Sequence, residues 1–283
     1  MQDEVFHIRQ AQAYCAGYFH VWDSKITTPP GLYFAAWGWN KLFGCNVDML
    51  RYLSATCLGV FFTQALFSSD IIDLVQRGKS TRTLKEGGSY GFQEWLKAFN
   101  MMTFPPLFFF SALFYTDVAS TVLVYLYFQL FLNRLMVNEE NVRKEVIQVG
   151  LGIASLLFRQ TNVFWVAVFP AGLAIIQGTK ACSPDRSSTN KGPQSFAQVV
   201  QLAWKESIVY DPPVAEAWLD DYIKVGLSIA IVAGLNIGSI TSRLYPSLML
   251  LNVFVAFVAW NGGVVLGMTC FLLLTSRSLT VFE

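Results

Sequence analysis

Histidine is almost missing from this chain. His7 and His20 are the only two, too few for a dedicated transition-metal cage. Cysteine is sparse, and Cys15, Cys45, Cys57, Cys182 and Cys270 lie scattered with no CxxC pair. Cys57 and Cys270 sit inside apolar runs, where a thiol serves as a small buried hydrophobe. Charge is the largest deficit: only 14% of residues are Asp, Glu, Lys or Arg, against about a quarter in a soluble domain. The net charge of +1 gives no electrostatic case for nucleic acid, because a phosphate-tracking surface needs clustered Lys and Arg. Polar residues follow Met1 at once, so no cleavable signal peptide is expected there. Neither an internal repeat nor a coiled-coil heptad is visible.

What fills the space is apolar. Of 283 residues, 54% are hydrophobic and 15% aromatic, and the mean hydropathy is +0.43. One soluble core cannot bury so many apolar side chains, so lipid must solvate the remainder. The expectation is an all-α, polytopic transmembrane protein. Spanning stretches are expected over 52–75, 98–114 and 118–137, and shorter apolar stretches over 146–158 and 163–176. Two more, 223–240 and 246–275, finish the chain. The run 31–43 would cover only ~20 Å as a helix. With Trp37, Trp39 and Lys41, it reads as an interfacial helix rather than a span. The whole of 1–283 is expected to be a single transmembrane domain, made of a polar segment with that helix (1–50), spans (51–177), a polar loop expected to be disordered at its start (178–222) and final spans (223–275).

Charge then sets the orientation. The loop 76–98 carries Arg77, Lys79, Arg82, Lys85 and Lys97 against Glu86 and Glu94, and the positive-inside rule assigns it to the cytosol. Alternation puts the corner Tyr115–Asp117 across the membrane, Asn138–Glu145 back in the cytosol and Arg159–Asn162 across again. The loop with Lys180, Arg186, Lys191 and Lys205 returns to the cytosol. Residues 1–30 fall on the far side if 31–43 does not span. Three polar clusters are therefore expected on one non-cytosolic face.

Those clusters contain the groups able to do chemistry. Asp3 and Glu4, with His7, Gln10, Gln12, Asp23 and Lys25 nearby, suit a site that binds a sugar and moves a proton; a solvated tail is the bland alternative. The aromatics Phe6, Tyr14, Tyr18, Phe19 and Trp22 argue against a bare tail, since such rings need a packing surface. Asp117, where two apolar runs meet, is either an intramembrane functional acid or a carboxylate beside helix-starting amides. Arg159 interrupts an apolar run with Gln160 and Asn162 beside it. Such a break is tolerated where it lines a cavity or lies in the interface, and its cation is placed to meet an anion such as lipid phosphate. A snorkelling arginine is the alternative.

The segments DEVFHIRQAQAYC (Asp3 to Cys15), WDSKITTPPGLY (Trp22 to Tyr33), FYTDVAS (Phe114 to Ser120), LFRQTNVFWV (Leu157 to Val166) and WNGGVVLG (Trp260 to Gly267) occur in an order that resembles the dolichyl-phosphate-glucose α-1,2-glucosyltransferases of the endoplasmic reticulum. The resemblance covers most of the chain. It implies the membrane glycosyltransferase C fold, multi-pass in the reticulum membrane, with an interfacial first lumenal loop that supplies a catalytic acid. It also implies that glucose passes from dolichyl phosphate glucose to the diglucosylated lipid-linked oligosaccharide for protein N-glycosylation. The partners implied are membrane lipid and these two substrates; no cofactor is implied. An inverting transfer needs a carboxylate base, assigned to Asp3 with Glu4 as the alternative. Arg159 or Lys25 would steady the departing phosphate, and His7, Gln10, Gln12, Asp23, Tyr115, Asp117, Gln160 and Asn162 are candidates for substrate contacts. Compared with the family pattern, the chain is expected to be shortened at both ends. An inactive fragment and a small transporter are the competing readings.

Overall fold

A computed structural model describes residues 2–23, 25–67, 91–137, 142–182, 195–213, 215 and 217–263. Helices account for its regular structure, and no strand occurs among the described residues. Much of the basic loop 76–98 lies outside them, as do Asn138–Asn141 and the end of the WNGGVVLG segment.

Helix α1 (Gln2–Cys15) opens on Asp3 and Glu4, carboxylates that suit the positive end of the helix dipole. It closes at Gly17, whose φ of 87° permits a left-handed cap. There the amide of Tyr18 donates to the carbonyl of Ala13, a Schellman-type ending. Helix α2 (Gly31–Phe43) follows two prolines and stops at Gly44, φ 92°. It has the bounds expected of the interfacial helix. Helix α3 (Val47–Phe67) starts before the expected span; the remainder of 52–75 lies outside the described residues.

The expected span 98–114 is not one helix. The chain forms α4 (Phe92–Met102), turns at Thr103–Phe104 and restarts as α5 (Pro105–Ser111). Pro105 and Pro106 have no N–H to continue a helix and push the preceding residue out of the helical region. Helix α6 (Thr116–Val137) packs antiparallel to α7 (Val142–Phe158). Arg134 pairs with Glu145 at 2.9 Å at the end of α6 and the start of α7. Helix α7 stops where the polar run begins. Arg159 is extended, Gln160–Asn162 form a single 3₁₀ turn, and helix resumes through a π-helical turn, Phe164–Val168, into α8 (Phe169–Cys182).

The expected polar loop 178–222 holds a further helix, α9 (Phe196–Glu206). Its start is fixed by a capping box: Ser195 Oγ accepts from the amide of Gln198, and the Gln198 side chain accepts from the amide of Ser195. The final helices are α10 (Leu219–Leu235) and α11 (Ile237–Asn261). The break falls at Asn236 rather than at 241–245, and α11 runs through Pro246.

Thr116–Leu135, Gln160–Cys182 and Ile237–Asn261 are long and apolar enough to cross a bilayer. The chain is an all-α polytopic membrane protein. Its described residues form two compact units, one drawn from those up to Val166 and those between Leu250 and Gly263, the other from those between Ala167 and Met249. In the first, Ala11, Tyr14, Ile26, Leu32, Tyr33, Ala36, Leu50 and Phe114 make a core that fastens α1 and α2 to the start of α3. In the second, α10 packs on α8 and on α9.

Candidate active site

The first unit brings the three polar clusters together. Glu4 is buried; its Oε1 and Oε2 accept from Arg51 Nε and Nη2 at 2.9 and 3.0 Å. Oε1 also accepts from the amide of Phe114 at 3.1 Å. One carboxylate thus ties α1 to α3 and to the turn just before α6. The Arg51 hydrogen bond, helped by the Phe114 amide, holds the Glu4 carboxyl below its ordinary range although burial opposes this. Such a group stays ionised and already has its protons supplied by partners.

Asp3 is different. It is exposed at the start of the same helix, and its charge acts on His7 and Tyr115. His7 is buried, shares a 2.6 Å hydrogen bond between Nδ1 and Tyr33 Oη, and meets the Tyr115 ring edge-on at 5.0 Å. Burial lowers the His7 pKa against the opposing pull of Asp3 and Asp117, so the imidazole is neutral at pH 7. Burial likewise raises the Tyr33 and Tyr115 phenols, so both keep their protons.

Asp117 lies in the first turn of α6, and its Oδ1 accepts from Arg159 Nη1 across 42 residues of sequence. The corner and the polar break are thereby one ion pair, partly open to solvent on both sides. The other oxygen, Oδ2, is buried with no hydrogen-bond partner. Asp117 also lines a cavity of about 540 Å³ whose walls include Phe61, Met101, Phe104, Leu107 and Phe110. An acceptor without a donor at the edge of an apolar space is costly unless something brings it a proton.

Of the remaining expected residues, Gln10, Asp23, Gln160 and Asn162 hold backbone. Gln10 clamps the chain after α1, donating to the Val21 carbonyl at 2.6 Å and accepting from the Asp23 amide at 2.9 Å. Asp23 in turn accepts from the Lys25 amide, and the Lys25 ammonium lies 4.7 Å from the Phe6 ring centre. Gln160 donates to the Thr27 carbonyl at 3.1 Å, joining the polar break to the segment before α2. Asn162 is buried and donates to Ser120 Oγ and the Ser155 carbonyl, each at 2.8 Å. Gln12 lies apart, with only a long 3.5 Å contact to the Cys45 carbonyl. Two features had no local signal in the sequence: the Arg51 partner of Glu4, 47 residues away, and a disulfide between Cys15 and Cys45. Among the described residues, no group of His, Cys, Asp and Glu is placed to hold a metal ion.

The model of the DIE2/ALG10 family matches residues 1–269. This chain belongs to the DIE2/ALG10 family. Its relatives include proteins named Dol-P-Glc:Glc(2)Man(9)GlcNAc(2)-PP-Dol alpha-1,2-glucosyltransferase. The one from Gibberella zeae is 40% identical over 94% of this chain and 38% of its own length. That from Neurospora crassa is 39% identical over 94% of this chain and 35% of its own length. The human one is 30% identical over 94% of this chain and 51% of its own length. The chain thus spans less than half of these fungal relatives and about half of the human one. No solved structure matches it.

Proposed function

We propose that this chain forms the catalytic face of a dolichyl-phosphate-glucose α-1,2-glucosyltransferase, facing the lumen of the endoplasmic reticulum. The observation that carries the reading is the meeting of Asp3, His7, Tyr115, Asp117 and Arg159 at one place in a chain of this family. Asp3 is the general base. It accepts the proton of the acceptor hydroxyl as that oxygen bonds to the anomeric carbon, while the bond from that carbon to the phosphate oxygen breaks and the phosphate leaves with the electron pair. Arg159 stabilises the departing phosphate, and Asp117 holds the guanidinium in place for it. Asp117 Oδ2 accepts from a sugar hydroxyl, and the apolar cavity beside it lodges the start of the isoprenoid. The Cys15–Cys45 disulfide supports the lumenal orientation, because disulfides persist in oxidising compartments.

The test is glucosyl transfer in microsomes lacking the endogenous enzyme, using this chain extended to the length of its relatives. Dolichyl phosphate glucose and the diglucosylated lipid-linked acceptor are the substrates. Formation of a terminal α-1,2-glucose is expected. Failure to transfer by an extended chain that inserts and folds overturns the assignment.

A further inference from the structure

Helix α9 is left unused by glucosyl transfer. Its buried face, Val199 and Ala203, packs against α10. Next to that face, at i, i+4 and i+8, Phe196, Val200 and Trp204 are 44%, 36% and 64% exposed. Gln201 and Lys205, also exposed, edge the stripe along the same open groove, and exposed Gln198 lies beyond them on the far arc. A lone exposed apolar residue needs no explanation, but a three-residue stripe with a charged edge does.

The height of α9 along α10 says what the stripe meets. Lys224, in the second turn of α10, lies 5.3 Å from the Phe196 ring centre and is paired with Asp220 and Asp221 at 2.6 and 3.1 Å. Just after α9, the Tyr210 amide donates to Ser228 Oγ and the Tyr210 hydroxyl to Asp221. Ser228 lies about 13 Å along α10 from its first residue at 1.5 Å per residue. The segment leaving α9 therefore runs well down the side of α10. Around Asp221, the first two turns of α10 expose Leu219, Tyr222 and Ile223, with Trp218 exposed just before them, the apolar and amphipathic aromatic side chains that suit the edge of a bilayer. Lys180, near the end of α8, pairs with Asp211 at 3.1 Å and fastens the same segment to the end of an apolar helix. The stripe is continuous in depth with the lipid-suited surface of α10.

We propose that α9 lies in the plane of the membrane–water interface, with Phe196, Val200 and Trp204 embedded in lipid and Lys205 facing the headgroups. Lipid is the partner of this surface, which clamps the α8–α10 end of the second unit to the bilayer. The inference stands on the second unit alone and is independent of the transfer reaction.

Nitroxide labels placed singly at positions 200, 197 and 205 test it. The background is the full chain with Cys57, Cys182 and Cys270 replaced by serine, reconstituted in phosphatidylcholine vesicles. Ala197 is exposed beside the stripe, so A197C removes no large side chain and covers the case in which V200C disturbs packing. Oxygen, which partitions into lipid, is expected to relax the labels at 200 and 197 several-fold more than a water-soluble nickel chelate does, with the reverse at 205. Equal access of nickel to 200 and 205 places the stripe in water. Exclusion of both relaxants at 200 and 197 means protein covers it. Either result overturns the proposal.

Discussion

Asp3 and Glu4 are neighbours in sequence with opposite situations, and that contrast separates their roles. Glu4 has its lone pairs taken by Arg51 and the Phe114 amide, so it acts as a tie. Asp3 is exposed beside His7 and Tyr115. In the extended chain, Asp3→Asn is expected to lower turnover by roughly 10²–10⁴-fold with folding intact. Glu4→Gln should lower thermal stability by roughly 1.5–3 kcal/mol, the range for hydrogen bonds to charged groups, with a smaller kinetic loss. Turnover assays and melting curves on both variants decide this, and the reverse ranking would move the base to Glu4. Acid should reveal two windows. Burial holds the His7 pKa below the ordinary imidazole value of 6.5, so the unfolded chain binds the extra proton and stability falls as pH drops through 6.5 and below. Glu4 has a folded pKa below 4.5, so its contribution is present above 4.5 and is lost as pH falls further. Melting temperatures across pH 8 to 2 should lose the upper step in His7→Gln and the lower one in Glu4→Gln; unaltered profiles would contradict both pKa directions.

At the scale of elements, α1 and α2 form the platform that carries Asp3 and His7. Gly31 opens α2 where it meets the end of α7: a Cβ there would lie 2.6 Å from the Leu157 carbonyl oxygen. Backbone cannot swing aside as a side-chain tip can, so Gly31→Ala should cost about 1–3 kcal/mol by overpacking. Gly38, on the same helix with open space around its Cβ direction, should accept alanine without loss. A melt of the two variants separates the steric argument from a general intolerance of helix substitution. The Cys15–Cys45 disulfide closes a separation of 30 residues around this platform. Replacing both by serine should lower stability by about 3 kcal/mol, and reductant should shift the melt of the wild type but not of the double variant. A melt insensitive to reductant would mean the pair is not bonded in the protein.

The whole molecule is organised by the bilayer. Sequons inserted after Lys25 and within 183–194 should report opposite sides, the first glycosylated in microsomes and the second not. Modification of the second alone would invert the orientation and place Asp3, Asp117 and Arg159 in the cytosol. Pro105 and Pro106 keep α4 and α5 from forming one straight rod. The turn at Thr103–Phe104 lets the chain arrive at Phe114, whose amide meets Glu4.

Composition alone determined that this is a helical membrane protein, because so few charges and so many apolar side chains have no other stable solution. Local chemistry was equally legible at α2, bounded by prolines and Gly44, and at the break after Phe158, where Arg159, Gln160 and Asn162 end an apolar run. The ordered motifs Asp3–Cys15 and Trp22–Tyr33 carried the family. Helix α9 escaped because its flanks are polar, although its capping box was written at Ser195 and Gln198. Only the tertiary structure decided which acid is committed to Arg51, that Asp117 faces Arg159, and that Cys15 meets Cys45. Those pairs lie 47, 42 and 30 residues apart. Periodicity and capping act within a few residues, whereas a salt bridge or disulfide needs two distant side chains brought within bonding distance, and packing of the helices alone does that.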